Sequence, residues 1–158
     1  MKKITKVILL ASHLALFGVG IGVGIYILPV LTAESDASTV EIQQVKDAAR
    51  YTGLFDKNQK GSNAVHWVDG KLYVTDTDIA FEGSVAPGPD YKIYLSKTQA
   101  DDRQSFLDIK DDSLYIGDLK NFGNFKKSLP NGVNLDEYTT VQIWCERFEQ
   151  FIGSAKFK

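Results

Sequence analysis

The chain has 158 residues, of which 44% are hydrophobic and 24% charged, a composition that is ordinary for one globular domain with an added segment. This balance excludes a mainly disordered protein. The formal net charge is −2, and three of the 18 basic residues lie at the N-terminus, so the rest of the chain is acidic. An acidic domain lacks the basic patch of nucleic-acid-binding proteins, so no nucleic-acid partner is expected. The single cysteine, Cys145, excludes an internal disulfide framework and a cysteine-based zinc site.

The N-terminal segment predicts a membrane anchor. Residues 1–6 form a short leader that carries three lysines, and residues 7–31 carry no charged side chain. As a helix, residues 7–31 would extend about 37 Å, more than the ~30 Å hydrocarbon thickness of a bilayer. The run is also longer than the apolar core of a signal peptide. We therefore expect one uncleaved transmembrane helix, with cleavage after Ala33 as the alternative.

The three lysines also predict the orientation of this helix. Basic residues flank membrane helices on the cytoplasmic side, so the N-terminus is expected in the cytoplasm of the cell. Everything after Leu31 is then expected outside the cell membrane, in a periplasmic or extracellular location. The predicted protein is single-pass, with its C-terminal domain exported.

Four glycines at two-residue intervals mark the apolar segment: Gly18, Gly20, Gly22 and Gly24. The pairs Gly18/Gly22 and Gly20/Gly24 have the G-x-x-x-G spacing that lets two membrane helices approach closely, which predicts a homodimer through this face. The alternative interpretation is that glycine is simply common in membrane helices.

Residues 32–50 predict a stalk between the membrane and a folded domain. They are polar and rich in small side chains. Within them, residues 40–49 have the spacing of a short helix. Its apolar stripe is expected to contain Val40, Gln44, Val45 and Ala48.

From residue 51 to residue 158 the pattern changes to short runs of strand-forming residues separated by turns. Asp69-Gly70 lies between two such runs and predicts a β-hairpin. Further strands are predicted at residues 91–96, 113–116, 139–147 and 153–157. Six to nine short strands without a long amphipathic helix predict an all-β domain, built as an antiparallel β-sandwich or flattened barrel.

The predicted strand at residues 139–147 contains the most informative side chains. Alternation places one set on the same face: Val141, Ile143, Cys145 and Arg147. Cys145 is either a reactive redox thiol, with Arg147 supplying the positive charge that favours a thiolate, or a small buried hydrophobe. Trp144 points to the other face, where it either forms a docking surface or packs beneath a loop.

Four blocks of sequence occur in an order that resembles a known family. They are YTGLF at residues 51–55, GPDYKIYLS at 88–96, IGDLKNFG at 116–123, and VQIWCERF at 141–148 followed by GSA at 153–155. They resemble the DM13 domain, a family that accompanies DOMON modules. The corresponding family positions are an opening Gly-x-Phe, a Gly-Pro-Asp before a Tyr-Leu-Ser strand, a Gly-x-Leu turn and an Ile-Trp-Cys-x-x-Phe strand.

The resemblance implies an all-β domain with an electron-transfer or redox role outside the cell membrane. It implies that Cys145 carries this role, as a bare thiol or by holding a group such as haem, with Trp144 and Arg147 as neighbours. No DOMON module is present, so the resemblance also implies that electrons are exchanged with a redox partner protein.

His66 is the one histidine of the exported domain. It is the candidate second ligand for haem or a metal, and the alternative is an ordinary surface residue. The absence of Cys-x-x-Cys-His excludes covalent attachment of a c-type haem.

The sequence leaves two functions open, together with a third role for Cys145, an intermolecular disulfide between two chains. The first is a membrane-anchored electron-transfer accessory centred on Cys145. The alternative is a non-catalytic, tethered interaction module in which Cys145 is structural. There is no nucleophile elbow, phosphate-binding glycine loop or His-Glu metal motif, so neither hydrolase nor transferase activity nor a metal site is predicted.

Overall fold

The computed structural model describes residues 2–158 of the chain. Within these residues there are three α-helices and eight β-strands. The helices are α1 (Lys3–Leu31), α2 (Thr39–Asp47) and α3 (Arg103–Leu107). The strands are β1 (Tyr51–Phe55), β2 (Val68–Val74), β3 (Asp78–Val85), β4 (Tyr91–Ser96), β5 (Leu114–Leu119), β6 (Phe125–Ser128), β7 (Thr140–Cys145) and β8 (Gln150–Lys156). Short 3-10 turns occupy Lys110–Asp112 and Leu135–Glu137.

Two four-stranded antiparallel sheets form the domain, one in the order β1-β2-β3-β6 and the other in the order β5-β4-β7-β8. Alternating apolar side chains of both sheets, including Phe81 and Ile143, share one hydrophobic core. At one edge β1 approaches β8 so closely that a Cβ atom on Gly53 would lie 2.8 Å from the Lys156 carbonyl oxygen. The predicted all-β antiparallel sandwich or flattened barrel is confirmed.

The outer face of the β5-β4-β7-β8 sheet is covered by α3 and the loop before it. Phe106 of α3 packs against Trp144 of β7, with ring centroids 5.0 Å apart. Both faces of β7 are therefore buried, one by the sandwich core and the other by this layer. A strand buried on both faces is held rigidly, which fixes the position of Cys145 at its end.

The segment predicted as a stalk is packed against the domain. Its backbone joins the domain through hydrogen bonds from Glu34 N–H to the Lys120 carbonyl and from Ala37 N–H to the Asn124 carbonyl, each 2.9 Å long. Ser38 then begins α2 with a capping box, in which its side chain and that of Glu41 accept from each other's backbone N–H groups.

The apolar stripe of α2 differs from the predicted one. Ile42 and Val45 are buried against Tyr73 and Ala80 of the β1-β2-β3-β6 sheet, whereas Val40 is exposed. Of the predicted stripe, Val45 is buried as expected, whereas the prediction was wrong for the exposed residues Val40, Gln44 and Ala48. Helical spacing allowed more than one stripe, and only contact with the sheet selects the one that contains Ile42.

The predicted turn at Asp69-Gly70 is also wrong, because both residues lie inside β2. Gly70 is paired with Gly83 of β3 and has a φ of 153°. A Cβ atom on Gly70 would lie 2.5 Å from the Glu82 carbonyl oxygen and 2.8 Å from the Phe81 ring. Glycine therefore serves a close approach of two strands here, rather than a hairpin turn.

Helix α1 is continuous and has no buried residue. By length and composition it is able to cross a membrane, a property that an N-terminal signal sequence shares. Its C-terminal part lies beside the domain and lines a cavity there, described below.

Candidate functional site at Cys145

Cys145 is the last residue of β7 and lies inside the domain. Its side chain is 1% exposed and belongs to the same core as Val141 and Ile143, which precede it on the same face. In the antiparallel pairing of β7 with β4, Cys145 lies opposite Tyr91. The two side chains are consequently neighbours on one face of the sheet.

A cavity of about 240 Å³ lies against Cys145, between the domain and α1. The domain contributes Val65, His66, Pro87, Gly88, Pro89, Tyr91, Cys145 and Phe148, and α1 contributes Gly22, Ile25 and Tyr26. The wall is mainly apolar, and its hydrogen-bonding side chains are the tyrosines, the histidine and the thiol. The structure thus brings His66 and Cys145 to one cavity, an arrangement that the sequence had left open.

Tyr91 supplies the most unusual polar group of this cavity. Its side chain is 2% exposed, and its hydroxyl oxygen has no hydrogen-bond partner among residues 2–158. Burial raises the pKa of Tyr91, and the neighbouring Cys145 and Tyr26 raise it further, so the hydroxyl stays protonated. A Cβ atom on Gly88 would clash with the phenol group, so any other residue there would have to displace Tyr91.

His66 is held in one orientation by Asn63. The Asn63 side-chain oxygen accepts from the backbone N–H groups of Val65 at 3.0 Å and of His66 at 3.1 Å. This fixes the amide, so Asn63 Nδ2 donates to His66 Nδ1 across 3.1 Å. The proton of the neutral ring is therefore on Nε2, and burial lowers the pKa of His66, which favours that neutral form.

The environment of Cys145 favours the protonated thiol. Burial raises its pKa, and the charge of Asp90 acts in the same direction, while backbone groups of Phe148, Asp90 and Arg147 act against it. A raised pKa is the opposite of the change that activates nucleophilic cysteines. At neutral pH the cavity accordingly contains a neutral thiol, a neutral imidazole and a neutral phenol.

The two predicted neighbours of Cys145 do not share its environment. Strand β7 ends at Cys145, so Arg147 lies exposed in the following turn and not on the strand face where we predicted it. Trp144 is buried beneath α3 on the opposite face, which excludes an exposed docking role for its side chain.

A polar cluster stabilises the turn after Cys145 from the opposite side of the sheet. The carboxylate of Glu146 accepts from the Tyr94 hydroxyl and, at 2.8 Å, from Lys110 Nζ. Burial alone would raise the pKa of Glu146, but these hydrogen bonds lower it. Sequence reasoning did not identify Tyr91, and it did not identify this cluster, whose partners lie 36 to 52 residues apart in the chain.

The residues present do not fit haem. Pockets for drug-sized ligands typically measure about 300–1,000 Å³, whereas this cavity measures about 240 Å³ and haem is a large macrocycle. A thiolate ligand would also have to overcome the raised pKa of Cys145. Within residues 2–158 no group of three or more His, Cys, Asp or Glu side chains is arranged to hold a metal ion.

The protein is an all-β, two-sheet domain with a buried cysteine at the end of a central strand. An apolar helix precedes this domain. Residues 59–157 match the family model described as electron transfer DM13. The chain belongs to the DM13 family. No curated protein and no solved structure matches it.

Proposed function

We propose that this protein is a membrane-anchored, extracytoplasmic electron-transfer accessory whose redox site is the Cys145 cavity. The observation that carries the proposal is the position of the thiol in the wall of a cavity that Tyr91 also lines, with a buried hydroxyl that has no partner among residues 2–158. Membership of a family described by electron transfer supports the redox role. The length of α1 and the lysines before it support the anchor and the exported orientation.

The neutral state of the thiol determines the chemistry that is open to it. An oxidised partner protein that accepts one electron would remove that electron from the Cys145 sulfur, and the proton of the same S–H bond would leave with it. The partner is then reduced, the sulfur becomes a thiyl radical, and the proton of the S–H bond passes to bulk water, because the unprotonated ring nitrogen of His66 is already engaged by Asn63. Electron transfer at this site is therefore coupled to proton transfer.

A second function is favoured by a specific observation. Cys145 is almost completely buried and its pKa is raised, as expected for a cysteine that acts as a small core hydrophobe. In that case the protein is a non-catalytic, tethered interaction module.

One experiment on the full chain in detergent micelles separates the two functions. Ferricyanide, a one-electron acceptor, is added to three samples: native wild type, the native Cys145→Ala variant, and wild type unfolded in guanidinium chloride. A separate absorbance scan of the purified protein checks for haem. The electron-transfer role predicts that native wild type reduces a single equivalent and that native Cys145→Ala reduces none in the same time. Reduction only after unfolding would contradict that role and support the interaction module.

The orientation has its own test. Protease added to sealed membrane vesicles of known sidedness should digest the domain from the face opposite the cytoplasm. Digestion from the cytoplasmic face would overturn the exported location, and a chain that is released in soluble form, cleaved after Ala33, would overturn the anchor.

A further inference from the structure

The position of the cavity along α1 places its opening at the level of a membrane surface. A hydrocarbon core about 30 Å thick takes roughly 20 helical residues, and a span that begins at Val7 would therefore end close to Tyr26. Tyrosine is enriched at this level of membrane helices. Since Tyr26 lines the cavity, the site would lie at the outer boundary of the bilayer.

Exposed apolar side chains of the domain mark the same level. Val65 is 51% exposed and Phe148 is 47% exposed, and both line the cavity that faces α1. Large exposed apolar side chains on one face indicate a contact with an apolar surrounding. The opening of the cavity is thus accessible to a molecule that is dissolved in the membrane.

The lining of the cavity selects the chemistry of that molecule. With His66 neutral, none of the lining residues carries a charge, which disfavours a phosphate headgroup or a carboxylate. The Tyr91 hydroxyl has no partner among residues 2–158, and its burial costs free energy that a ligand acceptor would recover. His66 Nε2–H is a second donor, because Nδ1 is engaged by Asn63. Two donors in an apolar wall fit a neutral, flat molecule with two acceptor oxygens.

We propose that this cavity binds the headgroup of a lipid-soluble quinone, an identification that rests on the electron-transfer function proposed above. The Tyr91 hydroxyl donates to one quinone carbonyl and His66 Nε2–H to the other. The apolar tail of the quinone leaves the cavity along α1, past Ile25, into the bilayer. Binding forms no covalent bond, and the ring lies beside the neutral thiol of Cys145.

The test uses the full chain in phosphatidylcholine nanodiscs and a photoreactive azido analogue of a short-chain ubiquinone. After illumination, mass spectrometry identifies the labelled peptides. We expect labelling of the peptides that contain Val65, Phe148 and Tyr26, and we expect decylubiquinone to suppress it. Labelling that is spread along the lipid-facing part of α1, or that decylubiquinone does not suppress, would overturn the inference.

Variants test the two donors. Tyr91→Phe and His66→Phe should each weaken competition by decylubiquinone about tenfold, as expected for the loss of one hydrogen bond in an apolar site. Tyr115→Phe is the matched control, because Tyr115 lies on β5 away from the cavity, and it should not change the competition. Equal competition in all three variants would contradict the proposed contacts.

The result is distinguishable from failure of the electron-transfer function. If ferricyanide reduction fails but competed labelling persists, the redox role of Cys145 is wrong and the quinone site stands. If ferricyanide reduction succeeds and labelling is not competed, the quinone site is wrong and the redox role stands.

Discussion

Two tyrosines of β4 show how differently buried hydroxyl groups are satisfied in this domain. Tyr91 faces the Cys145 cavity and has no hydrogen-bond partner among residues 2–158, whereas Tyr94, on the other face of the strand, donates to Glu146. A buried hydroxyl without a partner is destabilising, and one that donates to a carboxylate is stabilising. The unsatisfied hydroxyl of Tyr91 lies at the proposed binding site. A buried polar group without a partner destabilises the fold, and a functional role explains why such a group is kept.

This contrast gives the first prediction. Tyr91→Phe should leave the free energy of unfolding unchanged or raise it by up to about 1 kcal/mol, because it removes an unpaired buried hydroxyl. Tyr94→Phe, the matched change on the same strand, should lower it by about 1–2 kcal/mol, because Glu146 loses a donor. Urea titration of the full chain in micelles measures both, and an equal loss in both variants would contradict the assignment of Tyr91 as unpaired.

The second prediction concerns pH and Cys145. Its pKa is raised in the folded state, so folding favours the neutral thiol. This contribution to stability is complete below the unfolded-state pKa of about 8.5 and is lost as the pH rises through the higher folded-state value. Between about pH 8.5 and 9.5, below the pKa of about 10 of unfolded tyrosines, the free energy of unfolding should fall more steeply for wild type than for Cys145→Ala. Urea titrations across this range measure both slopes, and equal slopes would show that burial does not shift the thiol.

At the scale of the elements, α2 shows that packing, more than helical propensity, selects which residues matter. The helix has 9 residues, too few to be stable alone in water. It is stabilised by the capping box at Ser38 and by burial of Ile42 and Val45 against the sheet. The segment between α1 and the domain is therefore part of the folded structure and limits how far the domain can move from α1.

The third prediction tests this packing. Ile42 is 3% exposed and Val40 is 65% exposed on the same short helix. Ile42→Ala should lower the free energy of unfolding by about 2–4 kcal/mol, because it leaves a cavity beneath α2. Val40→Ala should change it by less than about 0.5 kcal/mol. Chemical denaturation of both variants checks this, and a small loss for Ile42→Ala would mean that α2 does not pack on the domain.

At the scale of the whole molecule, α1 has two different glycine faces. Successive helical residues are about 100° apart, so Gly18 and Gly22 point toward one side and Gly20 and Gly24 toward nearly the opposite side. Gly22 lines the Cys145 cavity, so its face is turned toward the domain. The homodimer predicted from the G-x-x-x-G spacing is therefore expected to use Gly20 and Gly24.

The fourth prediction follows from these faces. Gly20→Ile should reduce the dimer fraction in a bilayer at least several-fold, because a branched side chain prevents close approach of two helices. Gly18→Ile, the matched change on the domain-facing side, should leave the dimer largely intact. Energy transfer between chains with fluorescent N-terminal fusions in liposomes measures the dimer. A larger effect of Gly18→Ile would place the contact on the other face.

The sequence by itself determined the properties that depend on local pattern. The apolar run of α1 and the alternation in β7 each reflect the environment of one segment, so the membrane-type helix and the all-β class could be predicted. The order of four short blocks was enough to indicate the DM13 family. Local pattern also required that Cys145 share a face with Val141 and Ile143.

Only the tertiary structure decided which distant residues meet. Asp69-Gly70 has the composition of a turn, but contact between β2 and β3 makes it part of a strand. Tyr91, His66 and Cys145 belong to separate segments and reach one cavity because two sheets and a helix pack together. Their pKa changes follow from burial, which exists only after packing. A site assembled from long-range contacts leaves no periodic signal in the chain. The sequence could therefore indicate individual residues of the site, but it could not show that they meet in one cavity.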